Sequence, residues 1–271
     1  PAPATEPAAT MAAARYPFRT ALVTGASSGI GEEMVRLLGA AGVPTVVVAR
    51  RKDRLRELAD EYPGVEVLVA DLTTTAGRAA VAGRIADPAR PLDLVVNNAG
   101  FGTSGLFHEL DADRLDREVT LNVAALTQLS RAALGVMVPR KRGWLLNVAS
   151  VAAFQPAPGL AVYAATKAYV TSLTESLHEE ARGTGVRVTA LCPGLTRTEF
   201  QSISNYQGAA TRYPDLAWTS VQDVARSGLD DVAHGKALSV PGLLYKGMVA
   251  ASQVLPNALK RRITGVALGR R

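Results

Sequence analysis

Ser150, Tyr163 and Lys167, all within residues 150–167, have the types and spacing for acid–base work on an oxygen atom. Tyr163 and Lys167 stand four apart in a stretch rich in helix formers, 161–180. Four residues is slightly more than one helical turn, so both side chains leave one face. A free phenol, with a pKa of about 10, is a poor proton donor or acceptor near neutrality. A neighbouring ammonium favours the phenolate and should lower that value, at about 1.36 kcal/mol per unit shifted. Ser150 follows the apolar run 144–148. It should therefore lie at a strand's C-terminal end, where open α/β sheets place their ligands. The spacing alone also describes a surface helix with one solvated tyrosine and one solvated lysine. The elements around these residues decide between the two.

Those elements begin at Thr20. Residues 21–23 form a short buried strand, and T-G-A-S-S-G-I-G (24–31) follows it directly, leading into helix formers that stop at Gly42. In strand–turn–helix context such a turn lets the backbone approach a pyrophosphate, toward which the helix N-terminus points free N–H groups. The spacing of Gly25, Gly29 and Gly31 differs from G-x-G-x-x-G, so a purely structural turn stays open at this point. The next strand, T-V-V-V-A-R-R (45–51), carries Ala49 where many NAD-binding folds place an acid for the ribose 2′-hydroxyl. Arg50 and Arg51 there suit a 2′-phosphate, and basic side chains at a helix start otherwise oppose its dipole. Further strands are expected at 65–70, ending in Asp71-Leu72, and at 92–96, ending in N-N-A-G (97–100). A long helix over 113–137 contains Asn122, a poor residue for a helix interior because its amide competes for backbone hydrogen bonds. The strand ending at Val148, a sixth at 186–191 running into C-P-G-L-T (192–196), and a short one near 237–240 complete the pattern. Strands alternating with helices predict an α/β fold: one doubly wound, mainly parallel seven-stranded sheet with helices on both faces.

With these motifs in order, the chain resembles the short-chain dehydrogenase/reductase family over roughly 20–240, and within it a bacterial NADP-preferring branch. The matching pieces are T-G-A-S-S-G-I-G, Asp71, N-N-A-G, Asn122, Ser150, Y-A-A-T-K and P-G-L-T. The resemblance implies a Rossmann-type domain and an NADP(H)-dependent oxidoreductase interconverting a carbonyl and a secondary alcohol. It implies Tyr163 as the general acid/base, Lys167 lowering its pKa and contacting the nicotinamide ribose, and Ser150 holding the substrate oxygen. Asn122 would anchor a water joining Lys167 to solvent. Gly25, Ser27, Ser28, Gly29, Ile30 and Gly31 would surround the pyrophosphate. Arg50 and Arg51 would meet the 2′-phosphate, with Asp71 and Leu72 near the adenine. Asn98, Ala99 and Gly100 would line the cofactor, Asn97 would support the central strands, and Pro193, Gly194 and Thr196 would bind the nicotinamide amide. The family is commonly dimeric or tetrameric, which implies a homodimer or homotetramer.

Composition narrows the alternatives. Hydrophobic residues make up 48% and charged residues 20% of the 271, as in ordinary globular chains. Cys192 is the only cysteine, which excludes an internal disulfide and, with no signal peptide visible, leads to an expected cytoplasmic location. Residues 1–19 are expected to be a disordered extension, 20–241 the catalytic domain and 242–271 a basic helical extension. The net charge is +6, yet seven Lys/Arg lie beyond Asp231, the last acid, and the body balances 23 basic against 24 acidic residues. A basic tail is not a nucleic-acid-binding face, so no nucleic-acid partner is expected. His108, His178 and His234 lack metal-ligand spacing, so no metal is expected. A nucleotide-binding sensor without chemistry is the alternative function, disfavoured because it has no need of the full Ser150, Tyr163, Lys167 set. Phe101, Phe107, Phe154, Leu160 and Phe200 in the expected pocket segments favour a lipophilic ketone or alcohol. In the tail, Leu243, Leu244, Met248, Ala251 and Leu255 share a ~140° arc at helical spacing. Pro256 should end that helix, with Lys260, Arg261, Arg262, Arg270 and Arg271 beyond it. This stripe is expected to pack on its own subunit or a partner near the pocket mouth, with an anionic membrane surface as the alternative.

Overall fold

The computed structural model describes residues 15–205, 214–256 and 261. Its centre is a parallel sheet of seven strands in the order β3-β2-β1-β4-β5-β6-β7. The strands are β1 (Ala21–Thr24), β2 (Thr45–Ala49), β3 (Val65–Val69), β4 (Leu94–Asn97), β5 (Gly143–Val148), β6 (Val186–Leu191) and β7 (Leu238–Ser239). β1, β4 and β5 are buried along their whole length, and β2 along all but its last residue, which is why they read as unbroken apolar runs rather than alternating ones. Successive residues still serve opposite layers. Ala21 and Val23 pack with helices α1 (Gly29–Ala40), α2 (Lys52–Glu61) and α8 (Val221–His234). Leu22 packs on the other face with α3 (Thr75–Ala86), α5 (Leu126–Met137) and the end of α6 (Ala161–Glu180). The strand order reverses between β1 and β4, which opens a crevice at the strand C-termini.

Three features differ from the sequence expectation, each for a packing reason. The expected helix over 113–137 is two helices, α4 (Ala112–Val119) and α5, joined by a π-helical turn at Thr120–Ala125. Asn122 sits inside that turn, whose wider ring turns a side chain inward that a regular helix would aim elsewhere. Residues 15–19, assigned to a disordered extension, are packed instead. Tyr16 and Phe18 are buried, their rings stack at 5.1 Å, and Phe18 meets Trp144 edge-on at 5.7 Å. The rest of that expected extension, 1–14, lies outside the described residues.

The third difference concerns the C-terminal helix α9 (Leu243–Val254). It lies on its own chain, but by only part of the expected stripe: Met248 packs half-buried, Leu243 and Leu244 are 86% and 57% exposed, and Tyr245, Val249 and Ser252 are buried. The Tyr245 ring fills the space a side chain on Gly194 would need. Its hydroxyl accepts from Leu195 N at 3.0 Å and donates to Ala217 O at 2.5 Å. A tyrosine that gains both ring burial and two hydrogen bonds outweighs two leucines in choosing the buried face. Beyond this helix, the basic residues Lys260, Arg262, Arg270 and Arg271 lie outside the described residues. Tyr245→Ala is expected to cost about 3–5 kcal/mol, as for other large aromatic truncations. Thermal denaturation reads this as a fall of several degrees, and an unchanged melting temperature would contradict the packing.

Candidate active site

The strand ends bring the sequence-selected residues to two adjoining places in the crevice. At the first, β1 runs into the glycine-rich turn. Gly25 takes φ +67° and Gly29 φ +60°, a region in which only glycine is unstrained. A side chain on Gly31 would strike the Asn98 amide and Gly25 O. Asn98 holds the turn, with Nδ2 donating to Thr24 O at 2.9 Å and Gly25 O at 3.3 Å. The Thr24 hydroxyl accepts from both Asn98 N and Ala99 N, each at 3.0 Å. Ser28 is the N-cap of α1 in extended backbone, and its side chain makes no capping hydrogen bond to the first turn. Glycine-only approach and an uncapped helix N-terminus fit a pyrophosphate. Thr24 was not among the sequence candidates, although its place at the head of the glycine motif could have flagged it.

At the end of β2, Arg51 lies against this turn. Its Nε donates to Ser27 Oγ at 3.1 Å, Nη2 to Ser27 O at 3.0 Å, and Nη1 to Glu199 Oε2 at 2.8 Å. Arg50 is exposed and close enough to Asp71 for its charge to act there. Partial burial pushes the Asp71 carboxyl up, but bonds from Thr73 N (2.9 Å) and Thr73 Oγ1 (2.7 Å), with Arg50, hold it below the usual range. Leu72 is buried in the apolar core, so only its backbone can face a ligand, and Ile30 is half-buried against the core. Cationic arginines with no carboxylate on the last residue of β2 fit a 2′-phosphate.

The second place is the end of β5. Lys167 is 5% exposed, and its Nζ donates to Val148 O at 2.8 Å. Burial pushes its pKa down to about 8. Tyr163, one turn earlier, has its ring centroid 5.7 Å from that nitrogen. Burial pushes the phenol up to about 12; a hydrogen bond with Ser150 works the other way, and the charges of Glu118 and Cys192 push further up. The net shift of Tyr163 is thus upward and set first by burial, a contribution that the spacing to Lys167 does not contain. Ser150 Oγ accepts from Ala152 N at 3.1 Å, capping the short 3-10 turn Val151–Phe154.

Asn122 braces the lysine from behind. It is 1% exposed; Oδ1 accepts from Phe101 N at 3.1 Å, and Nδ2 donates to Phe101 O at 2.8 Å and Thr166 Oγ1 at 3.1 Å. Gly100 passes so close that a side chain there would meet Asn122 Oδ1 at 2.9 Å and Lys167 Nζ at 3.4 Å. Asn97 lies outside this cluster, tying β4 to β5 through Asn147 Oδ1 at 2.9 Å and to α5 through Ser130 Oγ at 3.1 Å. Pro193 O accepts from Val151 N at 3.0 Å, and the Thr196 hydroxyl donates to Gly194 O at 3.1 Å. Toward solvent, the Phe200 ring tilts over Tyr163 at 5.1 Å, and both rings flank Gly102.

One buried group was not visible in the sequence. Glu118 is 0% exposed, and neither carboxylate oxygen has a hydrogen-bond partner among the described residues. Burial pushes its carboxyl above the usual range against the pull of Thr103, Arg114 and Lys167. Only the identity of its neighbours marks it, and those come together through tertiary structure.

Compared with known proteins, residues 19–207 match the family of short chain dehydrogenases. An uncharacterised oxidoreductase of Myxococcus xanthus is 40% identical over 197 residues, 71% of this chain and 78% of that protein. A short-chain dehydrogenase from Sphingobium yanoikuyae, solved in complex with NADPH, superposes with a TM-score of 0.77 at 35% identity, covering 93% of this chain and 96% of that one. The bulky-bulky ketone specific alcohol dehydrogenase from Comamonas testosteroni gives 0.73 at 31% identity, covering 93% and 95%.

The raised Glu118 pKa has a measurable consequence. Native protein keeps a proton there that the unfolded chain releases near the ordinary glutamate value of about 4.3. The wild type is thus expected to lose stability relative to Glu118→Gln as pH rises through the native pKa. The melting-temperature difference should favour the variant more at about pH 8 than at about pH 5. A pH-independent difference would show that the carboxyl is not held in its neutral form.

Proposed function

Because this chain belongs to the short-chain dehydrogenase family of oxidoreductases, we propose that it interconverts a carbonyl and a secondary alcohol using NADP(H), with Tyr163 as general acid/base. The observation that carries this reading is that Lys167 Nζ, 5.7 Å from the Tyr163 ring centroid, donates to Val148 O at the end of β5, two residues before Ser150. When bound, the nicotinamide supplies or accepts the hydride. The residues of the chain manage everything else.

Ser150 offers its hydroxyl to the substrate oxygen and holds it against Tyr163. In reduction, Tyr163 gives its phenolic proton to that oxygen as negative charge develops there. A native pKa near 12 keeps the phenol protonated until the reaction demands the proton. Lys167, held by Val148 O, then faces the phenolate and stabilises it. Asn122 fixes Phe101 and Thr166 around the lysine, which supports a role in positioning Lys167. In oxidation the same groups run in reverse, with the phenolate taking the alcohol proton.

NADP(H) is proposed over NAD(H) because Arg51 and Ser27 sit together at the end of β2, with Arg50 beside them, and the Sphingobium yanoikuyae neighbour was solved with NADPH. Residues 20–241 are proposed as the catalytic domain, and Gly25, Ser27, Ser28, Gly29, Ile30, Gly31, Asp71, Leu72, Asn98, Ala99, Gly100, Pro193, Gly194 and Thr196 as the remaining cofactor contacts. A lipophilic ketone or alcohol is proposed as substrate, from Phe101 and Phe200 at the site and from the substrate named for the Comamonas testosteroni enzyme. On family likeness the working unit is proposed to be a homodimer or homotetramer. No described helix is long and apolar enough to cross a membrane.

Tyr163→Phe keeps the ring packing and removes the proton, so turnover should fall ~10²–10⁴-fold while NADPH still binds. Retention of more than about a tenth of wild-type activity with a panel of bulky ketones would overturn the acid/base assignment. The ammonium of Lys167 is present below about pH 8 and lost above it. Carbonyl reduction is therefore expected to be level on the acid side and to decline as pH rises through that value. A reduction rate that climbs across the same range would contradict a cationic lysine in the step.

A further inference from the structure

We infer that Glu199 is a specificity-determining residue: its carboxylate competes with the 2′-phosphate of the cofactor for Arg51, and so sets how strongly NADPH is preferred over NADH. This deepens the proposed NADP(H) reading and rests on it. Arg51 has five N–H donors in a planar fork. Two of its nitrogens, Nε and Nη2, are given to Ser27 in the glycine-rich turn, and Nη1 is given to Glu199 Oε2 at 2.8 Å. The Arg51–Ser27 pair is where a 2′-phosphate finds both a cation and a hydroxyl. The carboxylate of Glu199 is thus an internal anion at an anion site.

Its surroundings reinforce that position. Ser28, the N-cap of α1, pulls the same carboxyl down, and Arg54 adds its charge from the first turn of α2. Arg51 and these two groups hold Glu199 below the usual glutamate range, which favours its charged form. The Thr198 methyl lies 3.1 Å from the position a side chain on Gly29 would take, which brings the residue next to Glu199 against the turn. Both side chains of the Arg51–Glu199 pair are 43% exposed. Such a pair is weak enough for a dianionic phosphate to displace, yet its like charge still opposes that phosphate.

The test uses the full-length protein and direct titration calorimetry at fixed ionic strength, with NADPH, NADH, 2′,5′-ADP and 5′-AMP. Glu199→Gln removes the charge and keeps the shape. It is expected to tighten NADPH and 2′,5′-ADP by about three- to tenfold, while NADH and 5′-AMP change less than about twofold. In an Arg51→Ala background the same change should tighten the 2′-phosphate ligands less than in the wild type, because the contested cation is gone and only like-charge repulsion remains. Weaker NADPH binding by Glu199→Gln would overturn the inference and make Glu199 a support for Arg51. Equal tightening of all four ligands, or none, would overturn it as well. The Arg51→Ala variant alone reads the underlying assignment: if it keeps wild-type discrimination between NADPH and NADH, the NADP(H) reading at Arg51 fails, whatever Glu199 does.

Discussion

A lysine ammonium bonded to a strand carbonyl inside the protein is the contact on which the catalytic geometry depends. Lys167 Nζ reaches Val148 O, the last residue of β5, from the second turn of α6. Burying a cation is costly unless partners compensate. Here the partners are a single backbone carbonyl and a surrounding frame, Asn122 and Gly100 among them. The frame fixes α6 across the end of β5, which sets Tyr163 beside Ser150. Burial that makes the lysine costly also drives both titratable groups toward their neutral forms, the phenol up and the ammonium down. Lysine and tyrosine are thus poised by desolvation first and by Ser150, Glu118 and Cys192 around them second.

The nucleotide side of the crevice follows another rule, close approach of backbone. Gly25 and Gly31 leave room for the Asn98 amide, and Thr24 ties β1 to the start of the N-N-A-G segment with one hydroxyl serving two N–H groups. Since Gly100 in that segment also touches Asn122 and Lys167, the two halves of the site share a wall of main chain. Displacement of one half would be felt by the other. The 198–205 segment bridges both from above: Thr198 and Glu199 meet the glycine turn and Arg51, Phe200 covers Tyr163, and Ser204 O accepts from both Ser104 N and Ser104 Oγ.

Much of this was legible in the chain because the signals are local. Strands buried on both faces give apolar runs, a phosphate-type turn gives glycines, and two groups on one helical face give a spacing of four. What stayed hidden depends on distant partners. Asn122 looked misplaced in a helix, and only contact with Phe101 and Thr166 explains the π turn that accommodates it. The sign of the Tyr163 shift followed from burial, which the Y-x-x-x-K spacing does not encode. Tyr16 and Phe18 sit after an Ala/Pro-rich stretch whose composition masked two aromatic anchors. In α9 a hydrophobic arc was readable, but the specific fit of Tyr245 against Gly194 chose the buried face. Glu118 and the Arg51–Glu199 pair join residues far apart in sequence and leave no periodic trace.

The central claim, hydride transfer at a carbon whose oxygen is served by Tyr163, is tested most directly by following the hydride itself. Incubating the protein with a bulky prochiral ketone and NADPH carrying deuterium at nicotinamide C4 should place the label on the carbinol carbon of a single alcohol enantiomer. Deuteration on only one of the two cofactor faces should be productive. An alcohol formed with the label lost to water, or ketone returned unchanged across a broad panel while NADPH binds normally, would contradict it.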